Sequence, residues 1–173
     1  MISRKARSIS SDYHFNKSHK LWKQGEDLFS LVTGLTPVKG RKNIDHIDFI
    51  CNGELGIFGN VDVKGYKASH KKGLLLLEML NVQGRGGWCS KDSKADFIAF
   101  LFEEHFIVVP RTILRGIVAK KCGKVEGVYR DKKVKPEDGV YKWIGRKNRK
   151  DAFTYVPLED LKPYEEEITI IEV

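Results

Sequence analysis

The sequence has little that would tie it covalently or to a membrane. Three cysteines in 173 residues, Cys51, Cys89 and Cys122, are odd in number and far apart, which excludes a disulfide framework. No Cys-x-x-Cys pair is present, which removes the usual zinc arrangements. No apolar run approaches the roughly 20 residues needed to span a bilayer. The basic N-terminus has no apolar stretch behind it, so it does not read as a secretory signal. A Gly-x-x-x-x-Gly-Lys-Ser/Thr loop and a Gly-x-Ser-x-Gly elbow are both missing, which argues against P-loop and nucleophile-elbow chemistry. Repeats, low-complexity tracts and Gly/Ser linkers are missing too. The expectation is one domain, cytoplasmic, with no membrane partner.

What is present is a core and a surplus of positive charge. Apolar residues make up 41% of the chain, enough for one domain of this length. Lys and Arg number 31 against 23 Asp and Glu, a formal net charge of +8. The surplus is unevenly placed: residues 1–25 carry a net +5, 26–109 a net −1, 110–150 a net +10 and 151–173 a net −6. Cationic flanks suit a polyanion, because each phosphate neutralised releases condensed counterions. The run from Tyr141 to Lys150 also interleaves aromatics with Lys142, Arg146, Lys147, Arg149 and Lys150. Its rings would either stack on bases or pack on the core.

Periodicity predicts a helix from about Asn16 to Leu35, with Leu21, Leu28, Val32 and Leu35 on one stripe, ended by Gly34 and Pro37. Residues 1–12 read as frayed. A strand from Ile44 to Cys51 turns at Asn52-Gly53 and returns through Leu55 to Tyr66, a hairpin signal. Leu74 to Val82 is apolar on both faces, as in a central strand. Ala95 to Phe102 and Phe106 to Val109 read as strands, Thr112 as the cap of a helix ending at Gly123, and the remainder as β-hairpins.

Chemistry concentrates on the hairpin. Side chains alternate along a strand, so Asp62 and Lys64 share a face, and the turn brings Asp48 beside them. Adjacent carboxylates repel unless a cation joins them, and Mg²⁺ prefers oxygen ligands. Asp45 is a rival for Asp48, while His46 shares the face of Asp48. Glu78 interrupts an apolar run. It either faces the cleft of Asp62 and Lys64, as a metal ligand or a partner of Lys64, or meets a surface lysine at a strand end. Gln83 on the following loop would hydrogen-bond near the site or simply be polar loop. Arg85 in Gly84-Arg85-Gly86-Gly87 would bring amides and a guanidinium to a phosphate, or form a plain turn.

At Glu26 after Gln24-Gly25, at Asp48 and at Asp62-Val63-Lys64, the chain resembles the PD-(D/E)XK nuclease superfamily, with its restriction-endonuclease-like and Holliday-junction-resolvase-like members. The resemblance covers roughly residues 20 to 115. It departs in having no Pro before Asp48 and Asp where the triplet more often has Glu. It implies an α/β fold with a restriction-endonuclease-like core, a central mixed β-sheet flanked by helices over about 14–122. A basic β-rich extension would occupy about 123–173. It implies catalytic Asp48, Asp62, Lys64 and Glu26, with metal held by Asp48 and Asp62, to which the reading of the residues adds Glu78 as a metal ligand and His46 and Gln83 as support. DNA would be gripped by Arg85, Lys142, Arg146, Lys147, Arg149 and Lys150. The function implied is a Mg²⁺-dependent deoxyribonuclease, an endonuclease, with Mn²⁺ as substitute and a homodimer allowed. The rival readings are a non-catalytic nucleic-acid binder on the same fold and an interaction protein that meets an acidic partner.

Overall fold

The computed structural model describes residues 20–39, 45–131 and 134–173. The frayed segment expected at 1–12 and the helix start at Asn16 lie outside these residues, as does the strand start at Ile44. The first element is helix α1 (Lys20–Thr33). Its buried centre is Phe29, fully enclosed and packed against Phe49 at 5.0 Å and edge-on to Phe106 at 5.2 Å. Leu28, Val32 and Leu35 flank it. Gly34 stops the helix at φ 74°, its amide donating to Ser30 O at 2.8 Å.

The strands are β1 (Phe49–Asn52), β2 (Phe58–Lys64), β3 (Leu74–Leu80), β4 (Phe97–Leu101) and β5 (His105–Pro110), followed by helix α2 (Arg111–Lys121). Then come β6 (Tyr129–Asp131), β7 (Ile144–Arg146), β8 (Ala152–Pro157) and β9 (Thr169–Glu172). They form two mixed sheets. A five-stranded sheet has the order β1-β2-β4-β5-β9, and a four-stranded sheet the order β3-β8-β7-β6. In the first, β2 and β4 run parallel and the other pairs antiparallel. In the second, only β6 and β7 are parallel. The fold is thus mixed α/β.

Several expectations shift. The Asn52-Gly53 turn does join two antiparallel strands, but through a longer loop with a 3-10 turn at Glu54–Gly56 and Gly53 at φ 109°. The strand begins at Phe49, so Asp48 precedes it. Leu74–Leu80 is an edge strand of the second sheet, not a central one. It is apolar on both sides because Leu75 and Leu77 face one core cluster and Leu74 and Leu76 another. Thr112 does not cap α2, which starts after Pro110 with no side-chain cap. The C-terminal hairpin reading fails at Tyr129–Asp131, which pairs with β7 in parallel. Residues 169–172 return to pair with β5 in the first sheet, so the two sheets do not divide the chain at residue 122.

These elements stack in layers. Helix α1 covers one face of the first sheet over Phe49, Val61, Val63, Ala99 and Val108. The opposite face packs through Ile98, Phe100 and Val109 on α2 and on Leu75 and Leu77 of the second sheet. No helix among the described residues is long and apolar enough to cross a membrane.

Candidate active site

Parallel pairing of Asp62 with Ile98 and of Lys64 with Phe100 puts both polar residues on the first sheet's inner face, turned toward the second sheet. Asp48 joins them by continuing the β1–β2 pairing: its amide donates to Val61 O at 2.9 Å, and its carbonyl accepts from Val38 N at 2.8 Å. Its carboxylate then folds back, and Oδ2 accepts from the Val63 amide at 2.8 Å. Asp48 and Asp62 are both buried, at 8% and 3% exposure. Their carboxyls are close enough to share a proton.

Lys64 supplies the cation such a pair needs. Its Nζ donates to Asp62 Oδ1 at 2.8 Å and lies 2.7 Å from Oδ2. That second approach is charge pairing without hydrogen-bond geometry, which leaves Oδ2 with acceptor capacity. The ammonium also sits over the buried Trp88 ring, 4.9 Å from its centroid. Burial, then the charge of Asp62, lifts the Asp48 carboxyl from 3.8 to about 6. Burial also raises Asp62, with Lys64 opposing and the charge of Glu26 adding to the rise. Half-buried Glu26 is therefore near the pair, carried on α1. A Cβ on its neighbour Gly25 would lie 2.9 Å from Gly65 Cα, so α1 and the end of β2 touch backbone to backbone.

Glu78 arrives from the second sheet. It ends the regular β3–β8 pairing, opposite Phe153, just before the register shifts between Glu78 and Leu80. Its carboxyl is raised by burial, and Lys64, Lys67 and Arg146 oppose the rise. It therefore lies within electrostatic reach of Lys64, Lys67 and Arg146. Lys67, which sequence reasoning missed, belongs to this group. Burial first and the charge of Lys64 second lower it to about 8, while Glu78 and Asp62 oppose. Only its spacing after Asp62-x-Lys64 hinted at it, and a turn after β2 was needed to bring it back.

Other candidates separate. Asp45 pairs with Lys94 at 3.0 Å, so it does not replace Asp48. His46 sits in a positive-φ turn at 54° and not on a strand, and bonds to the Gly86 backbone. Its imidazole pKa is lowered by burial first and Lys64 second. The Gly-rich loop is a closed turn and not an anion cradle. The amides of Gln83 and Arg85 donate to Asn81 Oδ1 at 3.0 and 3.1 Å, and Gly84 and Gly87 donate to Asn81 O and Met79 O. Arg85 and Gln83 are exposed on it, and no described hydrogen bond joins the Gln83 side chain to Asp48 or Asp62. Lys142, Lys147, Arg149 and Lys150 are exposed, whereas Arg146 is pinned to the fully buried Asp151. Trp143 packs in the core, so it offers no face to a base.

No protein-family model, curated protein or solved structure matches the chain. The site must therefore be judged on its own chemistry. Two contacting carboxylates with spare acceptor capacity are the donor set a hard divalent ion takes, and Mg²⁺ rarely uses an all-protein cage. No group of three or more His, Cys, Asp or Glu among the described residues is arranged to hold a metal, so the expected trio of Asp48, Asp62 and Glu78 is not assembled as one ligand set. The donors present fit Mg²⁺ completed by water and substrate.

Proposed function

We propose that this chain is a divalent-metal-dependent deoxyribonuclease of endonuclease type, and that the first sheet with α1 forms a restriction-endonuclease-like core. The contact between buried Asp48 and Asp62, with Lys64 on the same face, carries the reading. Asp48 and Asp62 would hold Mg²⁺ or Mn²⁺, with Glu26 and Glu78 at the margins. The ion, when bound, supplies Lewis acidity and charge neutralisation at the phosphate.

The protein's own groups do the rest. The Val63 amide fixes the Asp48 carboxylate, and the Trp88 ring fixes the Lys64 ammonium, so neither must reorganise. Lys64, held beside Asp62, orients the attacking water or steadies the phosphate oxygens. Exposed Lys142, Lys147, Arg149 and Lys150 hold the DNA backbone, and Arg85 reaches it from the neighbouring loop.

The test is a panel of labelled DNA structures incubated with Mg²⁺ or Mn²⁺. Wild type should cleave, and Asp62→Asn and Lys64→Met should lose about 100-fold or more. Mg²⁺ should raise the melting temperature of wild type but not of Asp62→Asn. Equal cleavage by the variants rejects the site. Salt-sensitive retention of DNA without product would instead support the non-catalytic binder on the same fold.

A further inference from the structure

A second surface lies just beyond the carboxylates. Strands β2 and β4 run in parallel register with Lys64 opposite Phe100. Two residues past each, beyond the strand ends and within a chain reach of about 7 Å, stand Tyr66 and Phe102. They line an open groove of about 550 Å³ together with His70, Lys71, Glu103, Glu104 and His105.

The groove is built of flat rings. Buried His70 stacks on Phe102 at 4.8 Å with planes 25° apart, and Phe102 stacks on half-buried His105 at 5.3 Å and 5°. Tyr66 meets His70 edge-on at 6.0 Å and 90°, forming a wall across this column. The column is held from below, because His70 Nδ1 lies 2.7 Å from Leu101 O in the orientation of an N–H donor. Lys71 Nζ rests over the Tyr66 ring at 6.0 Å. Glu103 is engaged by the Tyr66 hydroxyl at 3.1 Å and by Lys71 at 3.7 Å.

We propose that this groove receives an unpaired nucleobase of the strand whose phosphate lies at Asp48 and Asp62, which makes single-stranded or splayed DNA the preferred substrate. The proposal rests on the nuclease reading for the position of the phosphate, but not for the binding itself. An added flat ring extends the His70–Phe102–His105 column past His105, and stacking accepts any base because each has a π-face. A base within a duplex is stacked on its neighbours and does not offer that face. Lys71 exchanges its 3.7 Å pairing with Glu103 for the adjoining phosphate. The carboxylates of Glu103 and Glu104 suit a base edge that carries amino hydrogens, and they disfavour a groove filled by phosphate alone.

The experiment measures affinity and cleavage separately, using the full chain and short fluorescein-labelled oligonucleotides of mixed sequence. Each sequence is supplied as single-stranded DNA, as blunt duplex and as single-stranded RNA. Binding is read by anisotropy without divalent metal, and cleavage with Mg²⁺. Loss of one stacking partner should weaken single-strand binding about tenfold in His105→Ala and Tyr66→Ala. Duplex binding should stay unchanged, and His105→Phe should restore the single-strand affinity. That rescue distinguishes a lost ring face from a damaged fold. Equal binding of single strand and duplex by wild type, or no single-strand loss in either alanine variant, overturns the proposal and leaves the nuclease reading standing. The expected binding pattern without cleavage upholds the groove and rejects the nuclease reading. Equal affinity for the RNA and DNA strands places recognition in the base alone, as proposed. An RNA preference that both alanine variants retain overturns it.

Discussion

Two carboxyls that touch in a water-poor pocket resist being ionised together, and the cost falls on the one with the weaker cation. Lys64 contacts Asp62 directly, whereas Asp48 is stabilised by the Val63 amide and is lifted to about 6. A carboxyl raised above its unfolded value stabilises the fold below that unfolded value. This contribution disappears as pH rises through the folded pKa. The metal-free protein should therefore lose stability between about pH 4 and pH 6, by up to about 3 kcal/mol from Asp48 alone. Urea denaturation of wild type and Asp48→Asn across that range checks it: the wild-type slope should flatten in the variant, and parallel curves would refute the assignment. Cleavage should rise over the same interval as Asp48 loses its proton. The shared face of Asp62 and Lys64 was legible in the sequence because strand alternation is local. The place of Lys67 was not, since it depends on how the chain turns after β2.

Helix α1 meets the end of β2 through glycines, while Phe29 packs in one core cluster with Val61 and Val63. The Gly25–Gly65 approach lets backbone touch backbone, with Val63 Cγ1 also 3.6 Å from the position of a Gly25 Cβ. Two effects compete in Gly25→Ala. Alanine gains about 1 kcal/mol in helix propensity, but an overpacked contact costs about 1–3 kcal/mol, and backbone at 2.9 Å cannot swing aside. The variant should be destabilised by about 1–2 kcal/mol in chemical denaturation, and cleavage should fall more than binding because Glu26 rides on the displaced helix. A more stable variant with full activity would show that the close approach does not position the site. At this scale the β1–β2 hairpin was readable from Asn52-Gly53, since its pairing is between neighbours. The return of Thr169–Glu172 to β5 was not, because a four-residue strand after a stretch of 3-10 turns carries no local signal for a partner more than sixty residues away. Leu74–Leu80 misled for a related reason: an edge strand covered on both faces has the same apolar pattern as a central one.

The acidic excess of residues 151–173 is carried mainly by the 3-10 stretch Leu158–Glu167, and β9 after it lies at the edge of the first sheet opposite β1. The cationic run that includes β7 lies in the second sheet, its Lys150 amide donating to Val82 O beside the Gly-rich loop. Two kinds of cation are mixed in this run. Arg146 binds the carboxylate of Asp151, which is fully buried and also accepts from the Arg146 amide at 3.0 Å. Arg130 holds the same segment through Asp151 O at 2.9 Å and Arg149 O at 2.6 Å. Lys147, in contrast, is exposed, and its amide donates to Asp131 O at 3.2 Å. Removing the Arg146 side chain leaves Asp151 short of a partner, so Arg146→Ala should cost about 1–3 kcal/mol of stability. Lys147→Ala should leave stability within about 0.5 kcal/mol and reduce the slope of log affinity against log salt by about 0.9 for one lost phosphate contact. Denaturation and salt-titrated DNA binding on both variants measure the contrast. If Lys147→Ala left the salt slope intact while Arg146→Ala lowered it without loss of stability, the division between the clamp that shapes the loop and the cations that meet DNA would be reversed.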